Sequence, residues 1–191
     1  MFGLALMAAN GANAGPYEDG LAAAQRQDYA TALRLWKPLA DKGDAAAQYN
    51  LGLMYDNGRG VAQDDKQAVK FYRLAAAQGY AEAQYNLGTI YKYGQGVTQD
   101  YKEAVRLYRL AADQGYAYAQ LGLGFMYEYD QGVAQDYARA HMWYNMGEIS
   151  GDNKTASSYR DNVAKKMTAA DILKAQDMAR KCQASNFKQC D

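Results

Sequence analysis

Few residues in this chain of 191 could do acid–base, nucleophilic or metal chemistry. His141 is the only histidine, and Cys182 and Cys190 are the only cysteines. A zinc site normally needs four ligands, which two cysteines and one distant histidine do not supply. The glycines recur at regular stops and form no glycine-rich phosphate loop after a strand. We therefore expect a protein that is not an enzyme and that carries no cofactor and no metal.

The N-terminus resembles the second half of a secretory signal peptide. Phe2 to Ala9 is apolar but too short to span a bilayer as a helix. Ala12-Asn13-Ala14 then resembles a small-residue cleavage site, so we expect a signal peptide over 1–14 and a mature start at Gly15. The basic segment that usually precedes such a stretch is missing, which would fit a start truncated upstream. Alternatively, 1–14 forms an apolar helix that caps the fold.

Export would place the protein in the periplasm or outside the cell. In such an oxidising compartment Cys182 and Cys190 are expected to form a disulfide, which would pin the tail after the last helix.

The charges balance, with 21 Lys and Arg against 21 Asp and Glu. A neutral chain argues against binding to nucleic acid and against attachment by charge to an acidic membrane surface. We expect a monomer with no nucleic-acid partner and no membrane span.

A five-residue motif recurs at steps of 36 residues. Gly60-Val61-Ala62-Gln63-Asp64 returns as Gly96-Val97-Thr98-Gln99-Asp100 and again as Gly132-Val133-Ala134-Gln135-Asp136. Between 60–88 and 96–124, 20 of 29 positions are identical, whereas unrelated segments would share roughly three. Such periodicity is typical of repeat architectures.

Each repeat unit is predicted to contain two helices. The first spans about 45–57, with Asp44 as its cap and Gly58 just past its end. The second spans about 65–78 and is stopped by Gly79. Because the connections are short, neighbouring helices should pack antiparallel. Apolar or small residues fall on one face of each helix: Ala47, Leu51, Met54 and Tyr55 in the first, and Ala68, Val69, Tyr72, Ala75 and Ala76 in the second.

Other recurring residues indicate packing positions. A glycine inside a helix costs about 1 kcal/mol relative to alanine, so its recurrence as Gly52, Gly88 and Gly124 predicts close backbone contact with the partner helix. His141 takes the place of Val69 and Val105 and is interpreted as a partly buried packing residue rather than a base or ligand. The recurring tyrosines are likewise interpreted as core: Tyr55, Tyr91 and Tyr127, and Tyr72, Tyr108 and Tyr144.

The pattern Ala-x-Ala-Gln-x-x-Leu-Gly-x-x-Tyr-x-x-Gly-x-Gly-Val-x-Gln-Asp, followed by Ala-x-x-x-Tyr-x-x-Ala-Ala, resembles the Sel1-like repeat (SLR) of the tetratricopeptide (TPR) superfamily. The resemblance implies an all-α fold, an α/α right-handed superhelical solenoid of antiparallel helix hairpins, here with about ten helices. One domain over 15–191 is expected: an opening hairpin at 15–43, repeats at 44–79, 80–115 and 116–151, and capping helices with a tail at 152–191.

The two ends and the third repeat refine this expectation. The C-terminal segment resembles the cap of bacterial exported members of the family, and Thr168 with Asp171 predicts a capping box on the last helix. The third repeat has Asp130 where Gly58 and Gly94 stand. Since aspartate tolerates the left-handed region better than most residues, a slightly irregular hairpin is expected there.

Positions that are the same in every unit are expected to hold the helices together, whereas positions that change between units are not needed for that packing. One face of the first helices, here called the groove face, carries such changes, and it becomes more aromatic towards the third unit. In superhelical solenoids the first helices line a concave groove, and the resemblance implies that this groove binds protein or peptide partners. Alternatively, the aromatic residues pack under the C-terminal cap. The groove face comprises Ala46, Asn50, Leu53 and Asn57; Glu82, Asn86, Thr89 and Tyr93; and Tyr118, Gly122, Phe125 and Tyr129.

The expected function is a non-catalytic adaptor or scaffold that binds a protein or peptide in this groove. A tyrosine-rich groove could instead bind peptidoglycan or another carbohydrate. A less favoured alternative is a β-lactamase-like hydrolase, an activity attributed to cysteine-rich relatives. Ser185 and Lys188 match the bare Ser-x-x-Lys string of penicillin-recognising enzymes, but the rest of that signature is absent. This chain also lacks the cysteine pair that those relatives carry in each repeat.

Overall fold

The computed structural model describes residues 15–151, 153–188 and 190. Among these residues the regular secondary structure is α-helical, and no β-strand is present. The segment interpreted as a signal peptide, 1–14, lies outside the described residues. The first nine helices pack in succession along the chain, and the tenth packs on the eighth. The helices are α1 Pro16–Gln25, α2 Tyr29–Asp41, α3 Ala45–Asn57, α4 Asp65–Ala77, α5 Ala81–Tyr93, α6 Tyr101–Ala112, α7 Ala117–Glu128, α8 Tyr137–Ser150, α9 Asn153–Ala164 and α10 Ala169–Ala184.

The predicted all-α solenoid of helix hairpins is confirmed, and the recurring motif explains the start of each second helix. Asp64, Asp100 and Asp136 each end the motif and cap α4, α6 and α8, because their carboxylates accept backbone N–H groups of the first turn. Asp44 caps α3 in the same way, as predicted. The capping box of Thr168 and Asp171 on α10 is also present.

The third hairpin is slightly irregular, as the sequence predicted. Helices α3 and α5 end at Gly58 and Gly94, whose φ angles of 64° and 71° lie in the left-handed region. Asp130 adopts the same conformation with a φ of 56°, and its carboxylate accepts the N–H of Gln135 at 3.1 Å. Helix α7 accordingly ends one residue earlier than its counterparts, at Glu128.

The two helices of each hairpin meet at a glycine covered by a tyrosine ring. A Cβ atom on Gly52 would lie 2.6 Å from the ring of Tyr72, and one on Gly124 would lie 2.5 Å from the ring of Tyr144. The close contact with the partner helix that was predicted at these glycines is present; a tyrosine ring of that helix fills the space, and at Gly88 a Cβ atom would also lie 3.3 Å from the carbonyl oxygen of Ala104. We call these contacts the hairpin seam; it comprises Gly52 with Tyr72, Gly88 with Tyr108, and Gly124 with Tyr144.

Buried glutamines connect one hairpin to the next. The side-chain amide of Gln48 donates to the carbonyl of Ala40 at 3.0 Å, which satisfies an acceptor at the end of the preceding helix. Gln84 and Gln120 make the equivalent bonds to Ala76 and Ala112. The Ala-Gln pair of the repeat therefore holds successive units in register.

Candidate functional site

The groove face lies on α3, α5 and α7, and its exposure rises along the chain. Asn50 on α3 is nine-tenths buried, and its amide donates to the hydroxyl of Tyr17 at 3.1 Å. Asn57 is exposed, but its amide donates to its own helix at Leu53. By contrast, 61% of Tyr93 and 53% of Tyr118 are exposed. The first unit therefore offers less free surface than the second and third.

The second and third units form a cavity of about 280 Å³ between α5 and α7. Among the predicted groove residues, Thr89, Tyr93, Tyr118 and Phe125 line it together, whereas Glu82, Asn86 and Tyr129 do not. We call it the aromatic cavity, because its walls include the rings of Tyr85, Tyr93, Tyr108, Tyr118, Phe125, Tyr144 and Tyr159.

A separate, smaller cavity of about 250 Å³ lies at the N-terminal end of the solenoid. Asn50 and Leu53 contribute to it, together with Leu21 and Trp36 of the opening hairpin. The groove face is thus divided between two concave sites rather than forming one uniform surface.

Tyrosine rings pack together near the starts of α5 and α7. The rings of Tyr116 and Tyr118 lie 5.7 Å apart, centre to centre, and that of Tyr116 lies 5.5 Å from the ring of Tyr85. Burial, followed by the negative charge of Glu82, raises the pKa of Tyr80 to about 12. The hydroxyl of Tyr80 therefore remains protonated at neutral pH and can donate a hydrogen bond to a bound molecule.

Several lining residues of the aromatic cavity were not predicted as groove residues, among them Lys92 and Tyr159. Lys92 reaches the cavity from the end of α5, with its amino nitrogen 3.7 Å from the centre of the Phe125 ring. The sequence does contain a signal for Lys92, because the equivalent positions of the other two repeats are acidic, Asp56 and Glu128. Tyr159 comes from α9 of the cap, which is not a repeat, so comparison between units could not identify it.

The cap contacts the edge of the groove face without covering it. Tyr159 stacks on Tyr144 with ring centres 5.4 Å apart. The amino group of Lys166 lies 5.8 Å from the ring centre of Tyr129, yet 49% of Tyr129 remains exposed. The predicted aromatic residues are therefore accessible from solvent in the described part of the chain.

His141 occupies a buried packing position on α8, as predicted. Only 4% of it is exposed, and its Nδ1 atom has no hydrogen-bond partner among the described residues. Burial, with a smaller contribution from the positive charge of Arg160, lowers the pKa of the imidazole. His141 thus occupies the position that Val69 and Val105 hold in the other units.

The remaining candidates for chemistry have structural roles. Cys182 and Cys190 form a disulfide that closes the tail. The hydroxyl of Ser185 donates to the carbonyl of Cys182 at 2.8 Å. Within 15–151, 153–188 and 190, no group of three or more His, Cys, Asp or Glu side chains is arranged to hold a metal ion. In the same ranges, no helix has the length and apolar character needed to cross a membrane.

Comparison with known proteins agrees with this architecture. A family model described as the Sel1 repeat matches residues 1–44, 45–80, 81–116 and 117–151. No curated protein matches the chain at a significant level.

The solved structures that are similar to the chain include two proteins of this type. A Sel1 repeat protein from Oxalobacter formigenes is 28% identical, with a TM-score of 0.69, and the match covers 90% of this chain and 78% of that one. A protective antigen of uropathogenic Escherichia coli strains that displays an SLR fold is 26% identical, with a TM-score of 0.63. That match covers 90% of this chain but 46% of the antigen, so this chain spans about half of the antigen's length.

Proposed function

Because the chain belongs to the Sel1 repeat family, we propose that it is a non-catalytic interaction scaffold that binds a segment of a partner protein along its groove face. The observation that carries the proposal is the exposure of Tyr93, Tyr118 and Tyr129, at 61%, 53% and 49%. Tyrosine is enriched in protein interfaces because its ring supplies apolar area and its hydroxyl a hydrogen bond. A row of such residues beside a cavity supports docking of a partner there.

The test is site-specific photo-crosslinking in cells that make the protein. A photoreactive phenylalanine analogue replaces Tyr93 or Tyr129 on the groove face. The matched controls place it at Leu74 or Leu110, which are 43% and 40% exposed on second helices. We expect protein adducts from the groove positions and none from the controls. Equal adducts from both sets, or adducts from the controls alone, would contradict the proposal.

Peptidoglycan is the second candidate ligand. Sugar rings stack on aromatic faces, and the aromatic cavity presents several tyrosine rings with their hydroxyl groups. Co-sedimentation with purified peptidoglycan separates this candidate from the first. Sedimentation that is lost in a Tyr93→Ala, Tyr118→Ala variant would favour the sugar ligand over the protein partner.

The absence of catalysis is also part of the proposal. Neither His141 nor Ser185 is placed as a nucleophile with an adjacent base, since one is buried without a partner at Nδ1 and the other donates to a backbone carbonyl. Incubation of pure protein with the chromogenic β-lactam nitrocefin checks this point. Turnover that survives further purification would contradict it.

We further propose that the protein works as a monomer outside the cytoplasm. The disulfide between Cys182 and Cys190 supports an oxidising compartment. The similarity to a bacterial protective antigen points in the same direction. Cell fractionation and light scattering of the purified protein test the compartment and the oligomeric state separately.

A further inference from the structure

The second repeat differs from its neighbours at two positions of its first helix that act together. In the first repeat, the hydroxyl of Tyr72 donates to the carboxylate of Asp56 at 3.1 Å. In the third repeat, the hydroxyl of Tyr144 donates to the carboxylate of Glu128 at 2.7 Å. The equivalent position in the second repeat is Lys92, which cannot accept that hydrogen bond.

A second exchange replaces the missing acceptor. Tyr108 is the counterpart of Tyr72 and is only 3% exposed, so its hydroxyl needs a partner. Thr89 provides it, with its hydroxyl oxygen 3.1 Å from that of Tyr108. The other repeats have Leu53 and Phe125 at this position. Thr89 therefore gives the Tyr108 hydroxyl a hydrogen-bond partner in the repeat where lysine replaces the carboxylate.

The exchange leaves a positive charge in the wall of the aromatic cavity. The amino nitrogen of Lys92 lies 3.7 Å from the ring centre of Phe125 and 5.0 Å from that of Tyr93. None of the carboxylates in the described residues forms an ion pair with it. Lys166 provides a contrast, because it also lies near a tyrosine ring but is paired with Glu128 at 2.8 Å.

From these contacts we infer that the aromatic cavity recognises a carboxylate of the bound segment, with Lys92 as the residue that binds it. The carboxylate belongs to an acidic side chain rather than to the C-terminus, because the exposed groove face continues past the cavity to Tyr129 and the bound segment can run on beyond Lys92. A volume of about 280 Å³ is at the lower limit of small-molecule sites, so it fits one or two residues rather than a cofactor. The apolar side chain next to the carboxylate would pack on Tyr93, Tyr118 and Phe125.

The cavity walls strengthen such an ion pair. Lys92 is half-buried among rings that exclude part of the surrounding water, and a charge pair is screened less there than on an open surface. The lysine also keeps three N–H donors available, because a ring face attracts the charge without consuming a hydrogen bond. This inference rests on the proposed function, and it adds the chemistry that the partner segment must have.

Selection from random peptide libraries tests it on the full chain. One library presents peptides with a free C-terminal carboxylate, and the other presents them with the C-terminus fused to the display protein. Both are selected on the wild type, on Lys92→Met, which keeps the apolar stem, and on Lys92→Glu. Circular dichroism establishes that each variant is folded.

We expect wild-type selections to enrich an acidic residue beside an apolar residue in both libraries. Enrichment confined to the free-carboxylate library would identify the C-terminus instead and would contradict the inference. Binding of a selected peptide should weaken about tenfold in Lys92→Met, recover within about threefold in Lys92→Arg, and lose most of its salt dependence in Lys92→Met. Lys92→Glu should select basic peptides instead.

Two further results would overturn the inference and separate it from the proposed function. Peptides that need Tyr93 and Tyr118 for binding but show no acidic preference and no loss in Lys92→Met leave groove binding intact and refute carboxylate recognition. Failure of the wild type to enrich any peptide that depends on Tyr93 and Tyr118 refutes both.

Discussion

The hairpin seam and the groove face lie on the same helices but differ in how much they change between repeats. At the seam, glycine faces a tyrosine ring in all three repeats, and the three tyrosines are at most 3% exposed. On the groove face, Asn57 of the first repeat is followed by Tyr93 and Tyr129 at the same position. The seam therefore carries the fold, while the groove face can change without disturbing it.

The two regions meet at the hydroxyl of the seam tyrosine. That hydroxyl points towards the groove side of the first helix and binds Asp56, Thr89 or Glu128, depending on the repeat. An exchange of its partner therefore requires a second exchange nearby, as Lys92 and Thr89 show. The comparison teaches that variation on the groove face is limited where it touches a buried polar group of the seam.

The largest effect is expected from alkaline pH, which acts on the seam. Burial raises the pKa of Tyr72, Tyr108 and Tyr144. The carboxylate of Asp56 adds to the increase for Tyr72, and that of Glu128 adds to it for Tyr144. An unfolded tyrosine ionises near pH 10. The unfolded chain therefore loses protons first, so that stability is complete below pH 10 and falls as the pH rises above it. At pH 11 each seam tyrosine should therefore lower the free energy of unfolding by about 1.4 kcal/mol, which makes roughly 4 kcal/mol for the three together.

Urea unfolding at pH 9, 10 and 11 measures this loss. The matched variant is Tyr108→Phe, which keeps the ring and removes one ionising group. Between pH 9 and pH 11 the free energy of unfolding of this variant should fall by about 1.4 kcal/mol less than that of the wild type. Identical slopes for the two proteins would show that the seam tyrosine does not carry the pH dependence.

The next largest effect is expected from alanine at a seam glycine. A Cβ atom at Gly124 would lie 2.5 Å from the Tyr144 ring, so the ring or the helix must move. Overpacking of this kind costs about 1–3 kcal/mol, and we expect about 3 kcal/mol for Gly124→Ala in thermal or urea unfolding. The control, Gly122→Ala, lies on the same helix, where the new Cβ would be 3.2 Å from Tyr108.

For Gly122→Ala the helix gains about 1 kcal/mol of intrinsic propensity, which offsets a mild contact. Its free energy of unfolding should stay within about 1 kcal/mol of the wild type. Equal destabilisation by the two variants would mean that the seam glycine has no special packing role.

The sequence predicted the hairpins well because their signals are local and repeated. The cap at Asp44, the helix end at Gly58 and the left-handed Asp130 each depend on a few neighbouring residues. At Gly52 the predicted close approach to the partner helix is present. The sequence alone does not specify whether a backbone or the ring of Tyr72 fills the space.

The groove face was predicted less completely, because its surroundings come partly from segments outside the repeats. Asn50 was expected to line the groove, yet Tyr17 of the opening hairpin covers it and takes its hydrogen bond. Tyr159 of the cap lines the aromatic cavity, and no repeat comparison points to it. Lys92 could have been found, since it breaks an acidic position, but it lies one residue away from the helical stripe that was followed.

A smaller effect is expected from the disulfide, which lies outside both regions. The bond joins Cys182 and Cys190 across a sequence separation of 8. Constraint of so short a loop in the unfolded chain is worth about 2 kcal/mol. Reduction of the wild type should lower the free energy of unfolding by about this amount, less than one alanine at Gly124. Mass spectrometry without reductant should find Cys182 and Cys190 bonded to each other in the purified protein. A larger loss than at Gly124 would mean that the tail, not the seam, dominates stability.

The smallest effect is expected at the groove face itself. Tyr93 is 61% exposed and, unlike Tyr108, covers no glycine of its own hairpin. Surface substitutions without buried partners usually change stability by less than about 0.5 kcal/mol, so Tyr93→Ser should unfold at nearly the wild-type urea concentration. The same variant should weaken groove-dependent crosslinking and peptide binding. If Tyr93→Ser instead destabilised the protein by more than about 1.5 kcal/mol, the tyrosine would belong to the folding scaffold. The distinction between a packed seam and a groove face that does not contribute to stability would then be wrong at Tyr93, the most exposed tyrosine of the groove face.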